Sequence, residues 1–327
     1  MIISKTPLRI SFVGGGSDIE SFYLKSGGAV ISTTIDKYVY ITVNKKFDQH
    51  IRVSYSKTEE VARVEEIEHK LVREILKFHK IPGGVEITSI ADIPSRGTGM
   101  GSSSSFSVGL LHCLYAYKNK YVSAERLARE SSYIEIEKCK EPIGKQDHYN
   151  AAFGGFNFIQ FNTDGSVKVE PLIFQKKTRE TLKKSLLLFY TGLTRSASGI
   201  LREQVKNVSK SMEKRKMLEK MIGLAYKLKE DLQENRLDTL GEVLHQNWLL
   251  KKGLAESIST TQIDTWYNKA LRNGAIGGKL LGAGGGGFLL FFAPKQKHHK
   301  IIAALKGLQP VPFDLDTEGS KIIFIHH

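Results

Sequence analysis

The stretch PSRGTGMGSSSSFSVGLL, Pro94 to Leu111, constrains this 327-residue chain more than any other. Glycines at 97, 99 and 101 let the backbone take positive φ and approach a ligand closely. The serines open a segment with apolar residues on nearly every face, among them Phe106, Val108, Leu110, Leu111 and Leu114, the pattern of a buried helix. A helix start offers unpaired N–H groups and the positive end of the dipole, both of which favour phosphate. Serine hydroxyls there can bond phosphate oxygens or ligate magnesium. A Ser-capped helix after a turn is the simpler alternative, but a cap needs one serine and no alternation of glycines. No Gly-Lys-Ser/Thr ends the loop, so it is not a Walker A loop and implies a different phosphate cradle.

Two further segments are rich in glycine. In KLLGAGGGGFLLFF, Lys279 to Phe292, Gly282, Gly284 and Gly287 match the dinucleotide GxGxxG by spacing. That motif needs a strand before and a helix after, whereas a strand-like run comes next here, so a wide turn pressed against another element or a ligand fits better. In PLRISFVGGGSD, Pro7 to Asp18, a strand delivers Arg9 to a triple-glycine turn, and Ser17 and Asp18 come after it as groups able to grip sugar hydroxyls. Asp18 as a plain helix N-cap competes with that reading.

The length suits about two domains, and the apolar and charged fractions are ordinary for a globular protein. Net charge is +14. A basic surface could serve nucleic acid or anionic metabolites such as ATP and sugar phosphates. Runs such as KKTRETLKK and KSMEKRKMLEKM mix Glu with Lys along helical faces and read as solvated surface, and no finger or RNP signature accompanies them. The two cysteines, Cys113 and Cys139, lack metal-ligand spacing and read as reduced thiols. No apolar run reaches membrane-span length, and MIISKTPLRI lacks the features of a signal peptide, so a cytoplasmic protein without membrane or nucleic-acid partners is expected.

Along the chain, strands are expected at Ile2–Val13, Ala29–Ile35, Tyr38–Val43, Gly84–Ile90, Gly287–Phe292 and Lys321–Ile325. Helical periodicity covers Glu65–His79, Ser123–Lys138, a helix-rich stretch from about Gly192, and Ile301–Leu308. The order of elements predicts an α+β protein in two closely packed parts, residues 1–175 and 176–327, with a soft boundary near Val167 to Lys184.

With the three glycine segments in this order, the sequence resembles the GHMP kinases over nearly its whole length. PLR matches the family's Pro-x-Arg/Lys strand, PSRGTGMGSSSS its Pro-x-x-x-Gly-Leu-Gly-Ser-Ser loop with Met100 in place of leucine, and GAGGGG its C-terminal glycine motif. Within the family VGGGSD, IGKQDHYNAAFGG and YTGLTRSASGIL are closest to the heptose 7-phosphate kinases of the sugar-1-kinase branch. The resemblance implies an N-terminal ribosomal-S5-like α/β domain, a C-terminal ferredoxin-like domain and an active site between them. It also implies ATP and Mg2+ as cofactors and a phosphorylated sugar as acceptor; a homodimer is compatible with it.

Residue by residue, the resemblance assigns Asp147 as the catalytic carboxylate and Arg9 as the cation beside the transferring group. Gly97, Gly99, Gly101, Ser102, Ser103 and Ser104 would bind the nucleotide, and Ser103 and Glu135 the metal, with Glu137 as the neighbouring candidate. Gly16, Ser17, Asp18, Gly284 and Gly285 would face the acceptor. Arg96, Lys145, Arg195 and Lys279 are candidate anchors for its phosphate, since each lies in or beside a motif. A fucose- or galactose-type kinase is the near alternative. A non-catalytic sugar- or nucleic-acid-binding regulator would have no chemical need to keep Asp147, Glu135, Arg9 and the serines together.

Overall fold

The structure, a computed structural model, describes residues 1–94 and 97–326. Apolar alternation and β-branched residues build the first sheet, which carries β1 (Ile2–Val13), β2 (Gly28–Lys45), β3 (Ile51–Ser54), β4 (Thr58–Val61), β5 (Val85–Ala91), β6 (Phe156–Phe161) and β7 (Val167–Pro171). β2 is one 18-residue strand where two were expected. It bends opposite Pro7, which cannot donate to the ladder, so the register skips from Pro7↔Tyr38 to Leu8↔Ile35. Below the bend β2 pairs with β6, and above it with β5.

The second sheet has the order β11-β8-β10-β9, from β8 (Leu186–Tyr190), β9 (Gly277–Leu280), β10 (Phe288–Phe292) and β11 (Gln309–Pro310). Along β10 the side chains alternate between two cores: Phe288, Leu290 and Phe292 join the first sheet's core, and Leu289 and Phe291 the second. The last strand, β12 (Lys321–Ile325), returns to pair with β1 at the edge of the first sheet. The boundary expected at 175/176 falls between β7 and the next helix, but residues 321–325 belong to the first sheet.

The helices are α1 (Glu20–Ser26), α2 (Lys70–His79), α3 (Ser102–Tyr117), α4 (Ala124–Tyr133), α5 (Gln146–Phe153), α6 (Lys176–Ser185), α7 (Ala197–Lys210), α8 (Met212–Gln233), α9 (Leu240–Lys252), α10 (Thr261–Arg272) and α11 (His298–Ala304). α2 starts five residues later than periodicity suggested. The Glu59 carboxylate takes the N–H groups of Glu68 (2.5 Å) and His69 (3.1 Å), and His69 then caps the helix. α4 runs on into a π-helical turn, Ile134–Lys138, a widened turn of the kind often found at functional sites. α9 lies between the cores, with Val243 and Leu244 in one and Trp248 in the other. Among the described residues no helix is long and apolar enough to cross a membrane.

Candidate active site

β1 and α3 meet where the two halves face each other. The Arg9 backbone N–H donates to Met100 O (3.1 Å), which fixes the glycine–serine loop to the strand. Arg9 is 4% exposed. Its guanidinium donates from Nε to Asp147 Oδ1 and from Nη2 to Oδ2, both at 2.7 Å, and from Nη1 to Gly99 O at 2.6 Å. This two-point fork holds the carboxylate plane in one orientation. Asp147 sits in the first turn of α5, where the helix dipole favours its charge.

The loop itself ends in Gly101, whose φ of 78° leads directly into α3. An αL residue at that place needs no Cβ, and α3 then starts with Ser102, Ser103 and Ser104 facing the cleft. The Ser102 hydroxyl lies 3.2 Å from that of Thr98. Ser103 donates to the Glu135 carboxylate, and His148 Nε2 meets Glu135 Oε2 at 2.8 Å. Glu135 is buried, whereas Glu137 is exposed and pairs with Lys140 at 3.4 Å, so Glu135 is the carboxylate turned to the serines. Ser103 and Glu135 offer the hard oxygen donors that magnesium prefers, and their mutual contact places both at one point. Among the described residues no group of three or more His, Cys, Asp or Glu gathers, so such an ion would complete its shell with phosphate and water oxygens.

On the other side of Arg9, Asp18 accepts from Gly16 N (2.9 Å), Gln146 N (3.1 Å) and Gln146 Nε2 (3.3 Å). It is not an N-cap, because α1 begins at Glu20 with Ile19 before it. Burial raises its pKa above the usual carboxylate range, and the nearby Asp147 charge adds to this. Three buried polar atoms around this pocket have no partner among the described residues: Ser11 Oγ, Gln146 Oε1 and Gln204 Nε2. All three residues line the cleft, so it is walled by groups that await a polar ligand.

Several expected residues sit elsewhere. Ser17 is fully buried, donating to Gly14 O (2.8 Å) and accepting from Ala29 N (3.1 Å), so its hydroxyl is spent inside the turn rather than facing an acceptor. Lys145 does not line the cleft; its ammonium lies 5.1 Å from the Tyr23 ring centre. Gly285 packs on Arg195 and Ile200, while Gly284, Gly16 and Arg195 do line the cleft. Arg96 lies outside the described residues. Cys113 and Cys139 are free, buried thiols that do not line the cleft.

The glycine segment at 282–287 packs directly on the serine loop. A Cβ on Gly282 would come within 2.2 Å of the Gly99 Cα, and one on Gly287 within 2.3 Å of Thr98 O. Residues with no signal in the sequence complete the wall: Gln204 on α7, and Lys251 on α9, whose ammonium donates to Gly282 O. Lys251 belongs to an ordinary-looking KKG helix end, which gave no reason to separate it from surface lysines.

Residues 62–155 match the family model for the GHMP kinases N terminal domain, and residues 228–308 that for GHMP kinases C terminal. A D-glycero-alpha-D-manno-heptose 7-phosphate kinase from Campylobacter jejuni is 32% identical, covering 98% of each chain. A galactokinase from Pyrococcus furiosus is 26% identical over 92% of this chain and 91% of its own. Among solved structures, a D-glycero-D-manno-heptose 1-phosphate kinase from Bacteroides thetaiotaomicron superposes with a TM-score of 0.82 at 23% identity over 100% of both chains, which shows the shared fold. The two glycine loops, the Arg9–Asp147 fork and these matches agree: the chain belongs to the GHMP kinases and is an ATP-dependent phosphotransferase.

Proposed function

We propose that this kinase is a sugar kinase that transfers the γ-phosphoryl group of ATP to the anomeric C1 hydroxyl of D-glycero-D-manno-heptose 7-phosphate, giving the 1,7-bisphosphate. Phosphoryl transfer depends mostly on positioning and charge neutralisation. In this reading the triphosphate lies over the start of α3, against the N–H groups and hydroxyls of Ser102, Ser103 and Ser104 and the backbone of Gly97, Gly99 and Gly101. Ser103 and Glu135 would hold magnesium, which supplies charge neutralisation to the phosphates when bound; His148 keeps Glu135 in place.

Asp147 receives the acceptor hydroxyl, orienting it and accepting its proton. Arg9 cannot be a base, since a guanidinium stays protonated; it locks Asp147 and stabilises charge on the group in transit. Asp18, with the Gly16 turn, holds ring hydroxyls, and Arg195 is an anchor for the acceptor's phosphate. The observation that carries the reading is the Arg9–Asp147 fork set directly against Gly99 of the phosphate loop. The Campylobacter relative, 32% identical over almost the whole chain, supports the heptose. That substrate implies a cytoplasmic place in making nucleotide-activated heptose for bacterial surface glycans.

A panel of sugars and sugar phosphates assayed for ADP release tests this. Phosphorylated heptose should be turned over best, with a new anomeric phosphate signal in the phosphorus NMR spectrum of the product. Faster turnover of unphosphorylated galactose or fucose would replace the acceptor, as the galactokinase and fucokinase relatives would then suggest. Salt-dependent nucleic-acid binding without ATP turnover would remove the enzymatic reading altogether.

A further inference from the structure

Two buried lysines have no part in the phosphoryl transfer proposed for this site. Lys251 lies four residues after Asn247 on α9, and Asn247 Oδ1 accepts from Gly14 N (3.1 Å), so this helix face meets the turn after β1. Lys251 is 5% exposed and donates to Gly282 O. Lys279, on β9 and 1% exposed, donates to Phe12 O at 2.9 Å. Each ammonium carries three N–H donors but has a single protein acceptor among the described residues. Both line the same cleft as Arg9.

The charged groups facing Lys251 are Arg9 from β1, Asp18 from the turn after it, Asp147 from α5 and Lys279 from β9. Both carboxylates favour its charge, but neither hydrogen-bonds to it. Asp147 is taken through both oxygens by Arg9, and Asp18 by Gly16 and Gln146. Three buried basic side chains therefore converge on one cleft, and neither lysine has a carboxylate among its hydrogen-bond partners. Burial pulls Lys251 down to about 8, helped by Arg9, and holds Lys279 well below the ordinary lysine range. A lysine placed only for structure would be expected to have a carboxylate partner, since a buried unpaired ammonium is costly. An anion entering the cleft would satisfy both.

We infer that Lys251 is a further catalytic residue whose ammonium bonds phosphoryl oxygens entering the cleft beside Arg9, with Lys279 as a positioning residue beside it. The inference rests on the sugar-kinase reading. It places a preformed charge at the Gly282 edge of the cleft, where a phosphoryl group in transit spreads negative charge over its outer oxygens. The oxygens have two sources, the transferring phosphoryl group and the phosphate already on the acceptor, and the same chemistry serves either.

Kinetics of wild type, Lys251→Met and Lys251→Arg with phosphorylated and unphosphorylated heptose test the inference. Because the ammonium must be protonated, wild-type kcat/KM should fall as pH rises through about 8. Lys251→Arg should move that fall upward, and Lys251→Met should lower activity on the order of 100-fold and flatten the profile. A loss in kcat with both acceptors assigns the transferring group. A loss in KM for the phosphorylated acceptor alone assigns the resident phosphate. Retained activity with the wild-type profile in Lys251→Met overturns the inference. Calorimetry of the wild type covers a variant that does not fold. Near pH 8, binding a non-hydrolysable ATP analogue, a sugar phosphate or inorganic phosphate should draw protons from buffer, because a bound anion raises the lysine pKa. No proton uptake with any of the three refutes the role. If the wild type turns over no sugar, the acceptor reading fails, while proton uptake with the nucleotide analogue still decides Lys251.

Discussion

The loops at 97–101 and 282–287 are both rich in glycine, with three of five and five of six residues, and both line the cleft, but they lead into different elements. In the first, Gly101 uses its left-handed φ to turn the chain into α3, and a Cβ there would meet Arg9 and Asp147 only at 3.4 Å. The loop lines the cleft, and of its glycines only Gly99 packs tightly on the second loop, against Leu281 and Gly282. In the second, glycines remove bulk so that one backbone can lie on another, with Gly282 against Gly99, Gly286 against Leu193 O and Gly287 against Thr98 O. Glycine-rich sequence thus reports that something comes close. Whether it is a ligand or another loop depends on the next element in the chain: a helix start with free N–H groups, or a strand whose N–H groups are already paired.

The largest effect expected on this contrast is catalytic. Asp147→Asn should lower the rate of ADP formation by about 10²–10⁴-fold. Nucleotide affinity should hold, because the serine loop does not depend on that carboxylate. Equal losses in nucleotide binding and turnover would mean the fork shapes the loop rather than the chemistry. The next effect is structural. Gly282→Ala forces a methyl into the Gly99 backbone and should cost about 3 kcal/mol in denaturant unfolding, from overpacking and the strained φ together. Gly192→Ala, also at positive φ but with nothing within 4 Å, should cost about 1 kcal/mol. Similar values for the two would refute loop-on-loop packing as the reason for the second motif.

The smallest effect is a gain. Asp18 has a folded-state pKa raised by burial, so its ionisation opposes folding once pH rises past the unfolded carboxylate range. Asp18→Asn should therefore raise Tm by a few degrees at neutral pH and have little effect in acid, while weakening acceptor binding. A stability change that is independent of pH would show that the Asp18 charge is not the cause.

Much of the molecule was legible in the sequence because it rested on local rules. Glycine alternation, a serine-opened apolar helix and strand alternation specify their own geometry, and α3, β1 and β10 appear where those rules put them. Long-range pairing was harder to read. The register skip at Pro7 merges two expected strands into β2, and the Glu59 carboxylate, ten residues upstream of His69, delays α2. Ser17 and Lys251 exchange their apparent roles for the same reason. A serine in a motif is consumed by the turn it helps to close, and a lysine in a featureless helix is carried into the cleft by packing two cores together.

The widened turn at Ile134–Lys138 makes chain length part of the site. An α-helix advances roughly 100° per residue, so removing Ile134 and restoring regular winding would swing the Glu135 carboxylate away from Ser103 and His148 without altering any of those side chains. In this segment single-residue deletions would be more damaging than most substitutions, and a mutational survey confined to substitutions would miss the constraint.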